Sequence, residues 1–132
     1  MTDMEGGCLC SAVRYRVRGE PLHSAICHCK SCRKAAGSPS VAWVTFRRSD
    51  FQLLSGSPRV FSSSPGVLRT FCAHCGTPLT YESETAQGSV DVTTLSLDEP
   101  ELFPPNREVW VQHRISWEPL DSRLAHYPQG GA

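Results

Sequence analysis

The amino-acid sequence predicts a mainly β fold, in which short strands are joined by many turns, one helix is short, and metal ions act as staples. Only 39% of the residues are hydrophobic, and ten glycines and ten prolines interrupt the chain, which disfavours long helices. Seven cysteines fall into three tight groups, a pattern more typical of metal binding than of disulfides in a reducing compartment. Bound metal would stabilise the thin core that such a composition allows.

The length and charge of the chain limit its organisation and its partners. We expect a single domain over 1–132, with an irregular tail over 118–132. Thirteen basic and thirteen acidic residues cancel, so no bulk positive field attracts nucleic acid. No apolar run is long enough to span a membrane, and the first residues lack a signal-peptide pattern. The expected protein is therefore cytoplasmic, without nucleic-acid or membrane partners.

Alternating hydrophobicity and turn residues predict the strands in order. The clearest is 12–18, where Val13, Tyr15 and Val17 alternate with arginines, as in a half-buried strand. Glycine, proline and serine clusters separate the other apolar or β-branched runs. The further expected strands are 21–27, 40–46, 51–54, 59–62, 67–71, 78–82, 89–95 and 107–112.

One helix is expected directly after the central cysteine group. Residues 30–36 have a helix-compatible composition, and the sequence Gly37-Ser38-Pro39 that follows would end a helix. The predicted helix has one or two turns.

Two outer cysteine pairs, Cys8 with Cys10 and Cys72 with Cys75, have the spacing of a structural zinc site. The ligand sulfurs of tetrahedral zinc lie about 3.8 Å apart. Residues i and i+2 of a flat strand lie about 6.6 Å apart, so the first pair needs a curled backbone, which the preceding glycines permit. The second pair is followed by glycine, as in a zinc-knuckle turn. We expect these four thiolates to hold one zinc ion.

The central group, Cys27, Cys29 and Cys32, places three potential ligands on one short segment. Zinc with three protein ligands keeps a vacant position, which is typical of a catalytic site. A fourth ligand from a histidine would instead make the site structural, although His28, between two ligands, should project away from the metal. Spacing alone leaves open which pairs share an ion, including whether the first pair joins the central group instead.

Charge indicates what such an open site would bind. Three thiolates on a divalent ion give a total of about −1, which makes the ion a weak Lewis acid that prefers a soft ligand such as another thiol. Lys30, Arg33 and Lys34 lie beside the group and could attract carboxylates, although each also fits a solvated charge on a short helix. The residues favour a small anionic thiol as substrate.

Three cysteine-containing segments form a recognisable pattern, 6–15 (GGCLCSAVRY), 27–34 (CHCKSCRK) and 71–79 (FCAHCGTPL). In these segments the chain resembles the glutathione-dependent formaldehyde-activating enzyme family, which includes centromere protein V-like proteins. The stretch 107–117 also looks like that family's ending. Ser11 departs from the pattern, because the family usually has glycine after the first cysteine pair.

The resemblance implies a β-tent fold of small antiparallel sheets and two zinc ions per chain. Cys8, Cys10, Cys72 and Cys75 match the family's structural zinc ligands, and Cys27, Cys29 and Cys32 match its catalytic zinc ligands. The implied activity is that of a carbon–sulfur lyase, which adds glutathione or a similar small thiol reversibly to formaldehyde or a related small aldehyde.

Other roles follow from residue type, and a rival function stays open. In the rival, the protein is a zinc-stapled binding module without catalysis, with both ions structural. The candidates for proton transfer are His28, His74 and His113, although each is also compatible with a packed or surface histidine. Trp43, Trp110 and Trp117 are expected to be core anchors rather than a substrate wall.

Overall fold

The computed structural model describes residues 3–130 and confirms a mainly β fold with antiparallel sheets and one short helix. Helix α1 spans Lys30–Ala36, as the sequence predicts. The strands are β1 Met4–Gly7, β2 Arg14–Val17, β3 His23–Cys27, β4 Val41–Arg47, β5 Phe51–Ser55, β6 Arg59–Ser64, β7 Val67–Phe71, β8 Pro78–Ser83, β9 Ser89–Thr93, β10 Arg107–Val109 and β11 Ala125–His126. Single turns of 3-10 helix lie at Arg48–Asp50, Glu84–Ala86, Thr94–Ser96, Pro100–Leu102 and Val111–His113.

The strands form a three-stranded sheet, in the order β1-β2-β5, and an eight-stranded sheet, in the order β11-β10-β3-β4-β9-β8-β7-β6. All strand pairs are antiparallel except those of β10, which runs parallel to both β3 and β11. Strands β9 and β10 therefore point the same way, and such strands need a crossover connection. The connection begins at Thr94–Ser96, so the strand expected at 89–95 ends at Thr93.

The eight-stranded sheet buries its two faces differently. Val44 and Phe46 of β4 are fully buried in the core cluster that also contains Tyr15 and Val17 of the small sheet. Because side chains alternate along a strand, Trp43 and Thr45 point to the opposite face. That second face lines a cavity and is described with the site below.

Strand β1 is not among the elements that the sequence predicts. Gly6 pairs with Tyr15, and a Cβ atom at Gly6 would lie 2.5 Å from Tyr15 Oη and 2.6 Å from the Ser96 carbonyl oxygen. Glycine is therefore required here by close packing between segments distant in the sequence. A short glycine-containing segment gives no strand signal by itself.

The strand expected at 107–112 is wrong beyond Val109. Trp110 has a φ of 57°, in the left-handed region, and Val111–His113 form a 3-10 turn. The Trp110 N–H donates to the Gln129 carbonyl oxygen at 2.9 Å, so a contact from the following segment stabilises this bend.

The region expected to be an irregular tail contains strand β11, which pairs with Arg107 and Glu108 of β10. The last two residues of the expected tail, 131–132, lie outside the described residues. Within residues 3–130, no helix has the length and apolar character needed to cross a bilayer.

Candidate metal centres and the adjoining cavity

Cys8, Cys10, Cys72 and Cys75 form one cluster, with sulfur atoms all within 4.8 Å of one another. The Sγ atoms of Cys8 and Cys10 are 3.6 Å apart, and those of Cys10 and Cys72 are 3.7 Å apart. These distances are far longer than a disulfide bond of about 2.05 Å and close to the spacing around tetrahedral zinc. The first cysteine pair therefore joins the pair at 72–75 and not the central group, and the cluster fits a metal ion.

The turn after the first pair supplies the curl that the short spacing requires. Ser11 has a φ of 68°, a left-handed conformation that costs a non-glycine residue about 1 kcal/mol. The Ser11 N–H donates to the Cys8 carbonyl oxygen at 3.1 Å, and the Val13 N–H donates to Cys8 Sγ at 3.2 Å. The serine that departs from the family pattern thus occupies a position whose backbone favours glycine.

The loop at 72–75 has the hydrogen bonds of a metal-binding knuckle. Cys72 Sγ accepts from the backbone N–H groups of His74 and Cys75, at 3.3 and 3.4 Å. Gly76 has a φ of 79°, and its N–H donates to the Cys72 carbonyl oxygen. Hydrogen bonds with Thr77 lower the pKa of the Cys75 thiol to about 5. Donors directed at sulfur stabilise the thiolate form that binds metal.

Cys27, Cys29 and Cys32 form the second cluster, again with all sulfur atoms within 4.8 Å of one another. Cys27 ends β3, Cys29 is the N-cap of α1, and Cys32 lies in the first turn of the helix. The Cys32 N–H donates to Cys29 Sγ at 3.3 Å. Hydrogen bonds from the Cys27 and Cys32 thiols lower the pKa of the Cys29 thiol. The hydrogen bond with Cys29 raises the pKa of the Cys27 thiol. Negative charge is therefore most stable at Cys29, the cap of the helix.

His28 projects away from this cluster, as its position between two cysteines predicts. His28 Nε2 lies 2.6 Å from Glu108 Oε1, and the two side chains are only 1% and 2% exposed. Glu108 Oε2 accepts from the Asp121 N–H at 2.6 Å. Among the described residues, the cluster therefore consists of three thiols, with no histidine as a fourth group.

A cavity of about 700 Å³ adjoins the three-thiol cluster. Its floor includes a row of polar side chains that are Cα partners across five adjacent strands, in the order β3, β4, β9, β8 and β7. The row consists of His23, Thr45, Asp91, Tyr81 and Arg69. Because directly paired residues share a face of the sheet, all five side chains meet the same space.

Arg69 connects this row to the thiols. Its Nη2 atom lies 3.7 Å from Cys32 Sγ, and its guanidinium carbon lies 4.9 Å from the centroid of the Tyr81 ring. Tyr81 in turn packs against Trp43, with 6.0 Å between ring centroids. The Arg69 guanidinium thus lies over an aromatic face beside the Cys32 thiol, where it can stabilise negative charge.

The basic and aromatic residues singled out in the sequence are distributed unevenly. Lys30 lines the cavity, whereas Lys34 lines a neighbouring apolar groove. His113 also lines the cavity and stacks on Trp110 at 5.2 Å. The expectation of tryptophan core anchors is wrong for Trp117, which is 70% exposed. For Trp43 and Trp110 the expectation is incomplete, because both pack in the cluster around Cys27 and Cys32 and also line the cavity.

Sequence reasoning did not identify Arg69, Tyr81, Asp91 and Glu108. Each lies in a short strand, and of these four strands only that of Asp91, Ser89–Thr93, alternates regularly between polar and apolar residues. A polar residue on a strand can face solvent, a cavity or a buried partner, and alternation does not distinguish these cases.

The sequence is similar to a known enzyme family and to curated proteins of two organisms. Residues 3–113 match a family model described as glutathione-dependent formaldehyde-activating enzyme. An uncharacterised lyase of Schizosaccharomyces pombe is 33% identical over 81 residues, which is 60% of this chain and 57% of that protein. A Halomonas elongata protein, provisionally named glutathione-dependent formaldehyde-activating enzyme, is 28% identical over 140 residues, covering 95% of this chain and 88% of that protein.

The fold also matches an experimental structure. A Rhodobacter sphaeroides protein in a crystal structure superposes with a TM-score of 0.63 and 20% identity, covering 94% of this chain and 99% of that chain. At this identity the likeness supports the fold alone.

Proposed function

The chain belongs to the glutathione-dependent formaldehyde-activating enzyme family, and from this membership we propose that it is a zinc-dependent carbon–sulfur lyase. It would add a small anionic thiol reversibly to formaldehyde or a related small aldehyde. The observation that carries the proposal is the three-thiol cluster, which opens into a cavity with basic walls. The names of the Halomonas elongata and Schizosaccharomyces pombe relatives support the same class of activity.

Two zinc ions per chain fit the donor sets. Cys8, Cys10, Cys72 and Cys75 would close a structural site with four soft ligands, since their sulfur spacing suits tetrahedral zinc. The three thiols at 27–32 would hold a second ion with one position free. When bound there, zinc would supply a Lewis acid that favours the thiolate form of an incoming thiol.

The chain's own residues would bind and orient the substrate. Lys30, Arg69 and Arg107 line the cavity and would attract the carboxylates of an anionic thiol. Trp43 and Trp110 would exclude water from the reacting groups, since both line the cavity beside the thiols. Such positioning supplies part of the rate enhancement by itself.

Tyr81 is the proposed proton donor to the carbonyl oxygen. The substrate sulfur forms a bond to the carbonyl carbon, and the π electron pair moves to oxygen. Tyr81 Oη then donates a proton to that oxygen and regains one from water, while the original thiol proton passes to solvent. Burial raises the pKa of Tyr81, so its hydroxyl is protonated at neutral pH, and Arg69 over the ring stabilises charge nearby. The reverse reaction breaks the same carbon–sulfur bond.

Exchange spectroscopy by NMR tests the proposal directly. The exchange rate between glutathione and its formaldehyde adduct is measured with and without the zinc-loaded protein, together with zinc content per chain. We expect faster exchange in proportion to protein concentration and two zinc ions per chain. A variant with serine at 27, 29 and 32 should retain one zinc ion and lose the acceleration. Two tightly bound ions without any acceleration would overturn the proposal and favour the binding module.

A further inference from the structure

Asp91 is a carboxylate in a cavity that is also lined by three basic side chains. Lys30, Arg69 and Arg107 line the same space, and Asp91 is its acidic residue within the described part of the chain. A cavity that bound only carboxylates would gain nothing from this negative charge. The charge pattern fits a ligand with several anionic groups and one cationic group.

The surroundings of Asp91 neutralise it only in part. The Thr45 hydroxyl donates to Asp91 Oδ1 at 2.5 Å, and Tyr81 is its other direct neighbour in the polar row. His23 lies on the far side of Thr45, and its charge partly offsets the effect of burial on the pKa of Asp91. No lysine or arginine among residues 3–130 forms an ion pair with it. Burial raises the pKa of the Asp91 carboxyl, which means that its charge is poorly solvated. A half-buried carboxylate without a lysine or arginine partner is costly unless a ligand supplies a cation.

Asp91 lies two strands away from Arg69, the residue that contacts the three-thiol cluster, and this separation favours a long ligand. Asp91 and Arg69 are separated by one strand, β8, so their Cα atoms lie roughly 10 Å apart, given the usual strand spacing. Arg69 reaches to within 3.7 Å of Cys32 Sγ. In a γ-glutamylcysteinyl thiol, eight bonds join the sulfur to the free amino nitrogen, about 10 Å when extended. In free cysteine only three bonds join them, which is too short.

We infer that Asp91, positioned by Thr45, is the binding site for the free ammonium group of a γ-glutamyl peptide thiol. The inference rests on the proposed function and adds a specificity determinant to it. Arg69, Arg107 and Lys30 would bind the carboxylates, and Asp91 would distinguish an amino-acid thiol from a thiol carrying only carboxylates.

Calorimetric titration of the zinc-loaded protein with two thiols, without aldehyde, tests this assignment. One thiol is glutathione, and the other is its deamino analogue, glutaryl-cysteinyl-glycine, which keeps both carboxylates and the sulfur. The parent protein should bind glutathione at least tenfold more tightly. D91N should bind the two within about twofold of each other. E101Q, which changes an exposed carboxylate outside the cavity, should keep the parent preference.

The outcomes separate this inference from the proposed function. Equal binding of the two thiols by the parent protein, with accelerated exchange intact, would overturn the role of Asp91 and leave the lyase in place. A full preference for glutathione in D91N would likewise overturn the role of Asp91 and leave the lyase in place. Failure of the parent to bind glutathione at all would overturn both proposals. The comparison of the two thiols on the parent protein is decisive even if D91N does not fold.

Discussion

The imidazole of His28 and the carboxylate of Glu108 form a buried pair 2.6 Å apart, although they are 80 positions apart in the sequence. The His28 N–H also donates to the Val109 carbonyl oxygen at 3.0 Å. Strand β10 therefore holds the three-thiol segment through a backbone and a side-chain hydrogen bond. Glu108 in turn accepts from the Asp121 N–H, which extends the connection to the segment before β11.

Replacing Glu108 with alanine should destabilise the fold by about 3 kcal/mol, because His28 would be left buried without its partner. The same change should weaken metal binding at 27–32 more than at the outer site. Urea unfolding and zinc retention against a graded chelator measure the two effects. E101A, at an exposed carboxylate, should stay within about 0.5 kcal/mol of the parent. A loss below about 1 kcal/mol in E108A would show that the pair does not support the segment.

Cys10 and Cys29 should respond differently to replacement by serine. C10S should lose the structural ion and more than about 4 kcal/mol of unfolding free energy, because that cluster joins segments 62 positions apart. C29S should lose the other ion and catalysis, with a smaller loss of stability, since β3 and α1 are held by other contacts as well. Metal analysis and thermal unfolding of both variants provide the comparison. Equal loss of stability in the two would contradict separate structural and catalytic roles.

Arg69 should matter most for charged thiols. We expect R69Q to raise the KM for glutathione roughly 10- to 100-fold, the effect of losing a charge-assisted hydrogen bond. The KM for the neutral thiol 2-mercaptoethanol should change much less. Steady-state kinetics with both thiols measure the difference, and R59Q, at an exposed position on β6, is the matched control. Similar effects on both thiols would indicate that Arg69 acts on the reacting sulfur and not on the carboxylates.

The stability of the D91N variant should depend on pH in a defined direction. Burial raises the folded-state pKa of Asp91, so its contribution to stability is present below the usual carboxyl pKa and lost as pH rises through the folded value. His23, Thr45 and Tyr81 face the carboxyl from the packed strands. D91N should therefore melt above the parent at neutral pH, and its advantage should shrink as the solution is acidified. Paired melting curves from about pH 8 to about pH 4 test this, and a lower melting temperature of D91N at neutral pH would contradict it.

The cysteine groups and the helix could be predicted from the sequence because local spacing determines them. The C-x-C and C-x-x-C patterns put sulfurs within reach of one ion, and Gly37 ends α1 in the left-handed conformation. Strand β1 and the bend at Trp110 could not be predicted, because packing against Tyr15 and Ser96 imposes the first and the hydrogen bond from the Trp110 N–H to the Gln129 carbonyl oxygen stabilises the second. These partners are distant in the sequence.

The cavity floor depends on long-range pairing in the same way. Thr45, Asp91 and Tyr81 come from three strands whose register is set only in the assembled sheet. Each looks like an ordinary solvent-facing residue in its own segment. The cysteines that share a sequence motif could therefore be grouped from the sequence, whereas the residues proposed to recognise the ligand could not be identified from it.

Strand β10 pairs in parallel with β3 but is synthesised much later, which affects the three thiols while the chain is being made. At usual elongation rates, roughly 4 to 16 s separate the emergence of His28 from that of Glu108, 80 positions later. During this interval the nascent chain carries the three thiols before β10, the strand that packs beside them, has been synthesised. Translation speed therefore sets how long the thiols meet oxidants and competing metals before the fold encloses them.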